Sequence, residues 1–472
     1  MHGKIKLKRV SAGAEKKSII IISAVLFCSV TLIAWSFFLS SEESLVLLKL
    51  SGIFYTFVLF FSIIFSINNF GAFSALSVFL VWWELVRFFL PKLPIFINGL
   101  SHHVAIDNAG YEINYVATTS IVYEAIFMGL VVASYGLFKL SISKQGFSYT
   151  KRLPFYLAVL LVGLISLLSF FYIYIRAGSV ASLLMQRGML DEDRIINQVG
   201  GFYYIVLKSS VIFALVWFCG LDKNNLNIRF WLFLTLFLML NFLVTGSRSG
   251  IIIPLVLVGY VYCRDIRDIP LKYIFLGVFA AIFILGAVGQ FRGQTQKVDD
   301  FSEVSVEGGV SDSFSGGLDV LSSYAGEVSG VFAIIHHVPL NHDYLYGESY
   351  KSIFYAPIPG FMIGSKPASG GRLLSEKIYN NPNNSIPPGN VGEAYWNFGV
   401  LGVFIVGLVF GVFLRVCDSF MKSNESPFFL PVFTVTLFFF QPNSNSFYFW
   451  IHSIVPALFY AIMIYGFPRR VG

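Results

Sequence analysis

The chain alternates long apolar runs with polar breaks. Runs near 18–39, 45–66, 70–90, 118–138, 154–175, 201–220, 230–245, 250–263, 273–290, 394–414, 428–441 and 446–467 approach the length that crosses about 30 Å of hydrocarbon as a helix. They predict twelve spans. Two of them, 250–263 and 428–441, are short, so a re-entrant or broken segment is the alternative to a full crossing there. The polar breaks are unequal. Segments 91–117 and 176–200 are sizeable, and 291–393 is by far the longest. A loop of that length is no simple connector, and short helices are expected inside it.

The pattern therefore predicts an all-α polytopic integral membrane protein with one large loop between spans 9 and 10. In sequence order it comprises a tail (1–17), spans 1–9 (18–290), the loop (291–393), spans 10–12 (394–467) and a short tail (468–472). Composition agrees: 56% of residues are hydrophobic, 17% aromatic and 12% charged, with a mean hydropathy of +0.72. A soluble chain carries roughly twice that charge fraction.

Lysine and arginine set the orientation. The N-terminal stretch "MHGKIKLKRVSAGAEKK" is basic, and twelve spans bring Lys139, Lys144, Lys151, Arg152, Arg229, Arg264, Arg267, Lys272, Arg415, Lys422, Arg469 and Arg470 to its side. Both termini are expected in the cytoplasm and the 291–393 loop in the periplasm. The tail is too charged, and its apolar run too long, for a removed signal peptide. Cys28, Cys219, Cys263 and Cys417 fall in or beside spans, so no disulfide staples the outer loops and no zinc role follows.

Within this frame "VTGSRSGII" (244–252) lies where one outward-running span ends and the next begins. Glycine and serine permit a tight turn with exposed amides, the next helix offers a positive N-terminus, and Arg248 adds forked donors, a combination suited to phosphate or pyrophosphate. An arginine snorkelling to lipid headgroups is the alternative. Arg176, Arg292, Lys366 and Arg372 fall on the same face, and several cations there suggest an anion site.

The stretch "LYGESYKSIFYAPIPGFMIGSKPASGG" (345–371), followed by "NVGEAYWNFGVLGVFIVGLVFGVF" (390–413), resembles the bacterial oligosaccharide repeat-unit polymerases, the Wzy-type O-antigen polymerases. Gly347, Ser349, Tyr350, Pro359, Lys366, Pro367 and the turn from Glu393 to Gly399 carry the resemblance, together with "GSRSG" at 246–250 and Arg292. Gly360 departs from it, standing where an arginine is expected, with Arg372 as the alternative carrier.

The resemblance implies a membrane glycosyltransferase of the GT-C-like type. It would transfer a growing glycan from undecaprenyl pyrophosphate to the non-reducing end of a new lipid-linked repeat unit, beside a separate chain-length regulator, at the periplasmic face of a Gram-negative inner membrane. Arginines can stabilise the departing pyrophosphate without a metal. Arg248 and Arg292 are the first choices, with Arg176, Lys366 and Arg372 behind them. For the base, Glu393 competes with the histidines of "AIIHHVPLNHDY". Related O-antigen ligases resemble this plan and use a histidine in the corresponding loop, which favours His336 or His337. Glu393 is equally suited to capping the tenth span.

Tyr350, Tyr395 and Trp396 are candidate platforms for sugar rings, although aromatics also gather at membrane interfaces without a ligand. The spacing of Asp191 and Asp193 resembles a metal-binding acidic pair, with a solvated turn as the simpler reading. Glu84 and Arg87, three apart in the third span, suggest an intramembrane ion pair. No metal, cofactor or nucleic acid is expected. A ligase joining finished glycan to lipid A core is the second reading. A transporter or flippase is the third, since neither repeat symmetry nor a relay of deep charges is visible.

Overall fold

The computed structural model describes residues 26, 30, 33, 43–99, 111–140, 146–148, 154–178, 201–221, 228–245, 249–265, 326–358, 362, 366–382, 385–424 and 426–471. Most predicted spans coincide with helices: α1 (Glu43–Phe70), α4 (Tyr111–Leu137), α5 (Phe155–Ala177), α6 (Gly201–Gly220), α7 (Ile228–Thr245), α8 (Ser249–Asp265), α12 (Gly389–Ser423), α13 (Phe429–Phe439) and α14 (Ser444–Tyr465). Span 3 is composite, because α2 (Ala75–Val78) passes through a π-helical stretch, Phe79–Phe89, into α3 (Leu90–Asn98). Three short helices, α9 (Gly326–His337), α10 (Glu348–Tyr355) and α11 (Gly370–Lys377), fall within 291–393. Span 9 and most of span 1 lie outside the described residues.

Among the described residues five helices are long and apolar enough to cross a bilayer: Glu43–Phe70, Ile113–Leu137, Leu157–Ala177, Gly389–Ser423 and Ser444–Tyr465. Their outward faces are apolar. Phe61, Leu160, Ile175, Leu232, Leu401 and Phe459 are 62–73% exposed, which suits hydrocarbon and would be an aggregation surface in water. This is the exterior of a membrane protein. The 11 residues of α13 rise only about 16 Å, roughly half a crossing.

Hydrogen bonds between chain-distant residues define one end of the bundle. The buried Asp418 carboxylate accepts the Ala75 N–H at 2.8 Å and the Tyr135 hydroxyl. Tyr260 donates to the Phe73 carbonyl, Arg415 to that of Phe138 and Ser419 to that of Leu140. The sequence's basic residues Lys139, Arg264, Arg415 and Lys422 collect at this end. A ladder of β1 (Gly146–Ser148) antiparallel to β2 (Arg469–Val471), with Phe147 opposite Arg470, joins the segment after α4 to the chain's C-terminal stretch. The opposite end holds the start of α1 and the surroundings of Gly99, whose Cα lies against Leu45 and Asn114.

Two apolar clusters result. The larger fills the bundle. The smaller gathers Ala333, Ile334, Val338, Leu345, Leu373, Leu374 and Ile378 around Trp396, making the short helices a packed unit. Helix α12 packs closely against α4. A Cβ on Gly411 would meet the Ser134 hydroxyl at 2.0 Å and the Val131 carbonyl at 2.3 Å, and one on Gly407 would press on Phe127 and Leu130 at 3.2 Å. Small residues four apart let helix backbones approach where lipid offers no hydrophobic drive for association.

Gly411→Leu is expected to destabilise the detergent-solubilised protein by about 1–3 kcal/mol through overpacking. Gly129→Ala, where an added Cβ meets nothing within 4 Å, serves as the neutral control. Fluorescence-monitored thermal unfolding checks this, and identical melting of the two variants would contradict a tight α4–α12 seam.

Candidate functional site

Helix α12 is broken near its start. Phe398 and Gly399 leave helical geometry, Gly399 with φ 62°, a conformation open to glycine and strained for other residues. In a straight helix residues eight apart stand about 12 Å apart along the axis. Here a Cβ on Gly402 would meet the Ala394 carbonyl at 2.1 Å, so the limb 389–397 folds against the longer limb. Span 10 is thus a bent pair of limbs, not the straight helix that its apolar run suggested. The break frees carbonyls that a continuous helix would satisfy. The Trp396 carbonyl accepts from Leu345 N–H at 2.9 Å and that of Asn397 from Tyr346 N–H at 3.1 Å. The Asn397 side chain completes the join, accepting Gly347 N–H at 2.9 Å and donating to the Ser349 hydroxyl at 2.8 Å.

Glu393 sits at the centre of this arrangement, fully buried. Its Oε2 accepts the Ser444 N–H at 2.9 Å, in the first turn of α14. The cap it provides is for the last helix and not for its own, where sequence spacing had placed it. The Ser444 hydroxyl in turn accepts Gly370 N–H at 2.8 Å, and Asn445 accepts Gly371 N–H at 3.3 Å, so the N-terminus of α11 docks on that of α14. Gly370 permits the approach, since a Cβ there would stand 2.7 Å from the Glu393 carboxyl carbon. A negative charge facing helix N-termini is the favourable placement. Glu393 Oε1 and the Tyr350 hydroxyl are enclosed with no hydrogen-bond partner among the described residues. Burial first, then the Glu393 charge, pushes the Tyr350 phenol well above its ordinary pKa, so it remains a proton donor.

His336 and His337 end α9, with ring centroids 4.8 Å apart, and His342 stands 6.0 Å from His337. The Asn341 side-chain amide is hydrogen-bonded to His337 Nδ1 at 2.9 Å. Burial, then His337 and Lys377, lower the His342 pKa below its ordinary value. Lys377 also pairs with Glu348 at 3.5 Å, so α11 faces this cluster. His342 was among the histidines considered for the base without being preferred, and Lys377 was not singled out from the sequence.

The aromatic candidates separate. Tyr395 stacks on Tyr123 at 5.6 Å and meets Tyr344 edge-on at 6.2 Å, and Tyr344 meets Tyr346 at 6.2 Å. Trp396 is instead 0% exposed, a core side chain with both ring faces covered. Among the cations, Lys366 and Arg372 are exposed beside and within α11. Arg176 is exposed in the last turn of α5, over the Tyr172 ring. Arg248, Arg292, Asp191 and Asp193 lie outside the described residues.

Glu84 accepts the Tyr55 hydroxyl at 2.6 Å, while the Arg87 guanidinium lies 4.5 Å over the Trp83 ring. The wider turn of the π-helix moves residues three apart out of the alignment they share on an α-helix, and in place of the expected Glu84–Arg87 ion pair Glu84 links to Tyr55 on another helix. Glu124, buried on α4, is a further interior carboxylate. A lone acid in the run "IVYEAIFMG" was its signal.

Neither a curated protein nor a solved structure matches the chain. The family described as O-antigen polysaccharide polymerase Wzy matches over residues 19–470, nearly the whole length. A lipid-exposed helical bundle with a packed polar unit at one end accords with that match, and the chain belongs to the O-antigen polysaccharide polymerase Wzy family.

Proposed function

We propose that the protein polymerises lipid-linked oligosaccharide repeat units at the periplasmic face of the bacterial inner membrane, moving the growing glycan from undecaprenyl pyrophosphate to the non-reducing end of a new repeat unit. The reading is carried by one observation beyond the family match: the histidine cluster and the cation-bearing α11 pack in a single unit around Trp396, away from the bundle's basic end. Basic residues favour the cytoplasmic side, so that unit faces the periplasm, with both termini inside and twelve spans. The ligase alternative shares the outer face but needs a lipid A core acceptor. A chain-length regulator acts as a separate partner.

In this mechanism the acceptor hydroxyl is attacked by no metal-bound base. His336, at the end of α9, takes its proton. The oxygen then bonds to the anomeric carbon as the bond from that carbon to the pyrophosphate oxygen breaks. Undecaprenyl pyrophosphate leaves with its charge stabilised by Arg248 and Arg292, and Arg176, Lys366 and Arg372 reinforce the field. Tyr344, Tyr346 and Tyr395 offer ring faces to the glycan, and Tyr350 and Glu393 hold the unit's interior.

Arg248→Ala is expected to lower polymerisation by about 10²–10³-fold, the effect of removing one oxyanion donor, while the protein still inserts. A lipopolysaccharide gel reads the result. The variant should show a core-plus-one-unit band where bare core would indicate a ligase, and a surviving long ladder would remove Arg248 from the site. The purified protein should keep its activity in EDTA, and loss restored by Mg²⁺ would shift the chemistry to Asp191 and Asp193.

His336→Ala should reduce turnover by about 10²–10⁴-fold, as expected for loss of a general base. Glu393→Gln retains an acceptor for the Ser444 N–H and should keep most activity. Equal loss in both variants would make Glu393 the base.

A further inference from the structure

A cavity of about 30 Å³ lies where the bundle meets the outer unit. Its walls include Trp83, Glu84 and Phe88 on the π-helical stretch, Glu124 on α4, Asn390 at the start of α12, Gln441 in the turn before α14 and Ser446 on α14. It lies inside the bundle, because Phe440 beside Gln441 packs on Phe413 at 4.4 Å and Phe410 at 6.1 Å, far along the long limb of α12.

Its chemistry is unusual for a membrane interior. Glu84 and Glu124 are 2% and 4% exposed. Burying two carboxylates is expensive even with a partner such as the Tyr55 hydroxyl on Glu84, and apolar replacements commonly stabilise such positions. The amides form a fixed array: Asn390 donates to Gln441 Oε1 at 2.6 Å, and Asn443 donates to Asn390 Oδ1 at 2.7 Å while accepting Ser446 N–H at 2.8 Å. The Trp83 indole N–H donates to the Leu437 carbonyl at 3.1 Å, which sets the ring's orientation on the wall.

We infer that this cavity is a glycan subsite that grips two adjacent hydroxyls on one sugar of the substrate. Carboxylates accept from hydroxyls, amides both donate and accept, and Trp83 and Phe88 supply apolar surface for the C–H groups of that edge. The size restricts the ligand, since about 30 Å³ accommodates roughly two waters, and so two hydroxyls at a ring edge but not a whole ring. Val331 of α9 also lines the cavity, and along that helix it stands about 7.5 Å from His336. A sugar held by its edge would therefore extend toward the histidine cluster.

The inference rests on the polymerase reading, and the test separates the two. Purified wild type, Glu84→Gln and Glu124→Gln are assayed for KM and kcat with the lipid-linked repeat unit. Titration with the oligosaccharide released from that carrier is followed by tryptophan fluorescence, alongside melting temperature. Either variant should raise KM and weaken oligosaccharide binding by roughly ten- to hundredfold, the effect of losing a charged hydrogen-bond partner, with kcat changed less than twofold and melting unchanged or raised. Unchanged binding and KM in both folded variants would overturn the subsite. So would a fall in melting temperature with binding intact, which marks the carboxylates as structural. Should the wild type bind oligosaccharide but fail to polymerise, the subsite would stand and the polymerase reading would fall.

Discussion

One buried carboxylate joins the two halves of this protein. Glu393 belongs to the short limb of α12, yet its charge answers the N-terminus of α14, which also receives the first amides of α11 through Ser444 and Asn445. Removing a carboxylate from such a place leaves buried donors unsatisfied, a penalty of about 1–3 kcal/mol for each. The last span and the short helix that carries Arg372 meet around that acceptor. The lack of a side chain at Gly370 is the steric counterpart of the same contact.

The break at Phe398–Gly399 serves the same arrangement from the backbone side. A continuous helix would have consumed the carbonyls of Trp396 and Asn397. Freed, they anchor the strand-like passage through Leu345 and Tyr346, and Trp396 turns into the core of the outer unit. Tyr395 packs against both apolar clusters. The outer unit is thereby held in register with the bundle, which lets histidines on α9 and cations on α11 occupy fixed places beside a lipid-embedded scaffold.

The polar seam between the halves has a matching logic. The π-helical stretch displaces Glu84 toward Tyr55, and the turn after the half-length α13 delivers Gln441 and Asn443 into the bundle. Both features depart from the regular spans around them, and irregular backbone at membrane depth is tolerated where it is buried in protein or lines a polar cavity.

Hydropathy alone marked the helices α1, α4, α5 and α14 and the short helices' segment, because lipid leaves the backbone few choices and every polar break stands out against apolar runs. Glu393, Tyr350 and the histidine pair came forward through the family resemblance and not through hydropathy. Hydropathy and spacing misjudged Trp396 as a surface platform and paired Glu84 with Arg87, because helical spacing describes neighbours on one element and says nothing about the element packed against it. The tight α4–α12 seam had a signal in Gly407 and Gly411, four apart, which hydropathy passes over. Composition and periodicity determined that this chain is a helical membrane protein. Only tertiary structure decided which polar atoms meet, because those contacts join residues as distant in sequence as Tyr55 with Glu84, and Gly370 with Ser444, through backbone breaks that no local pattern prescribes.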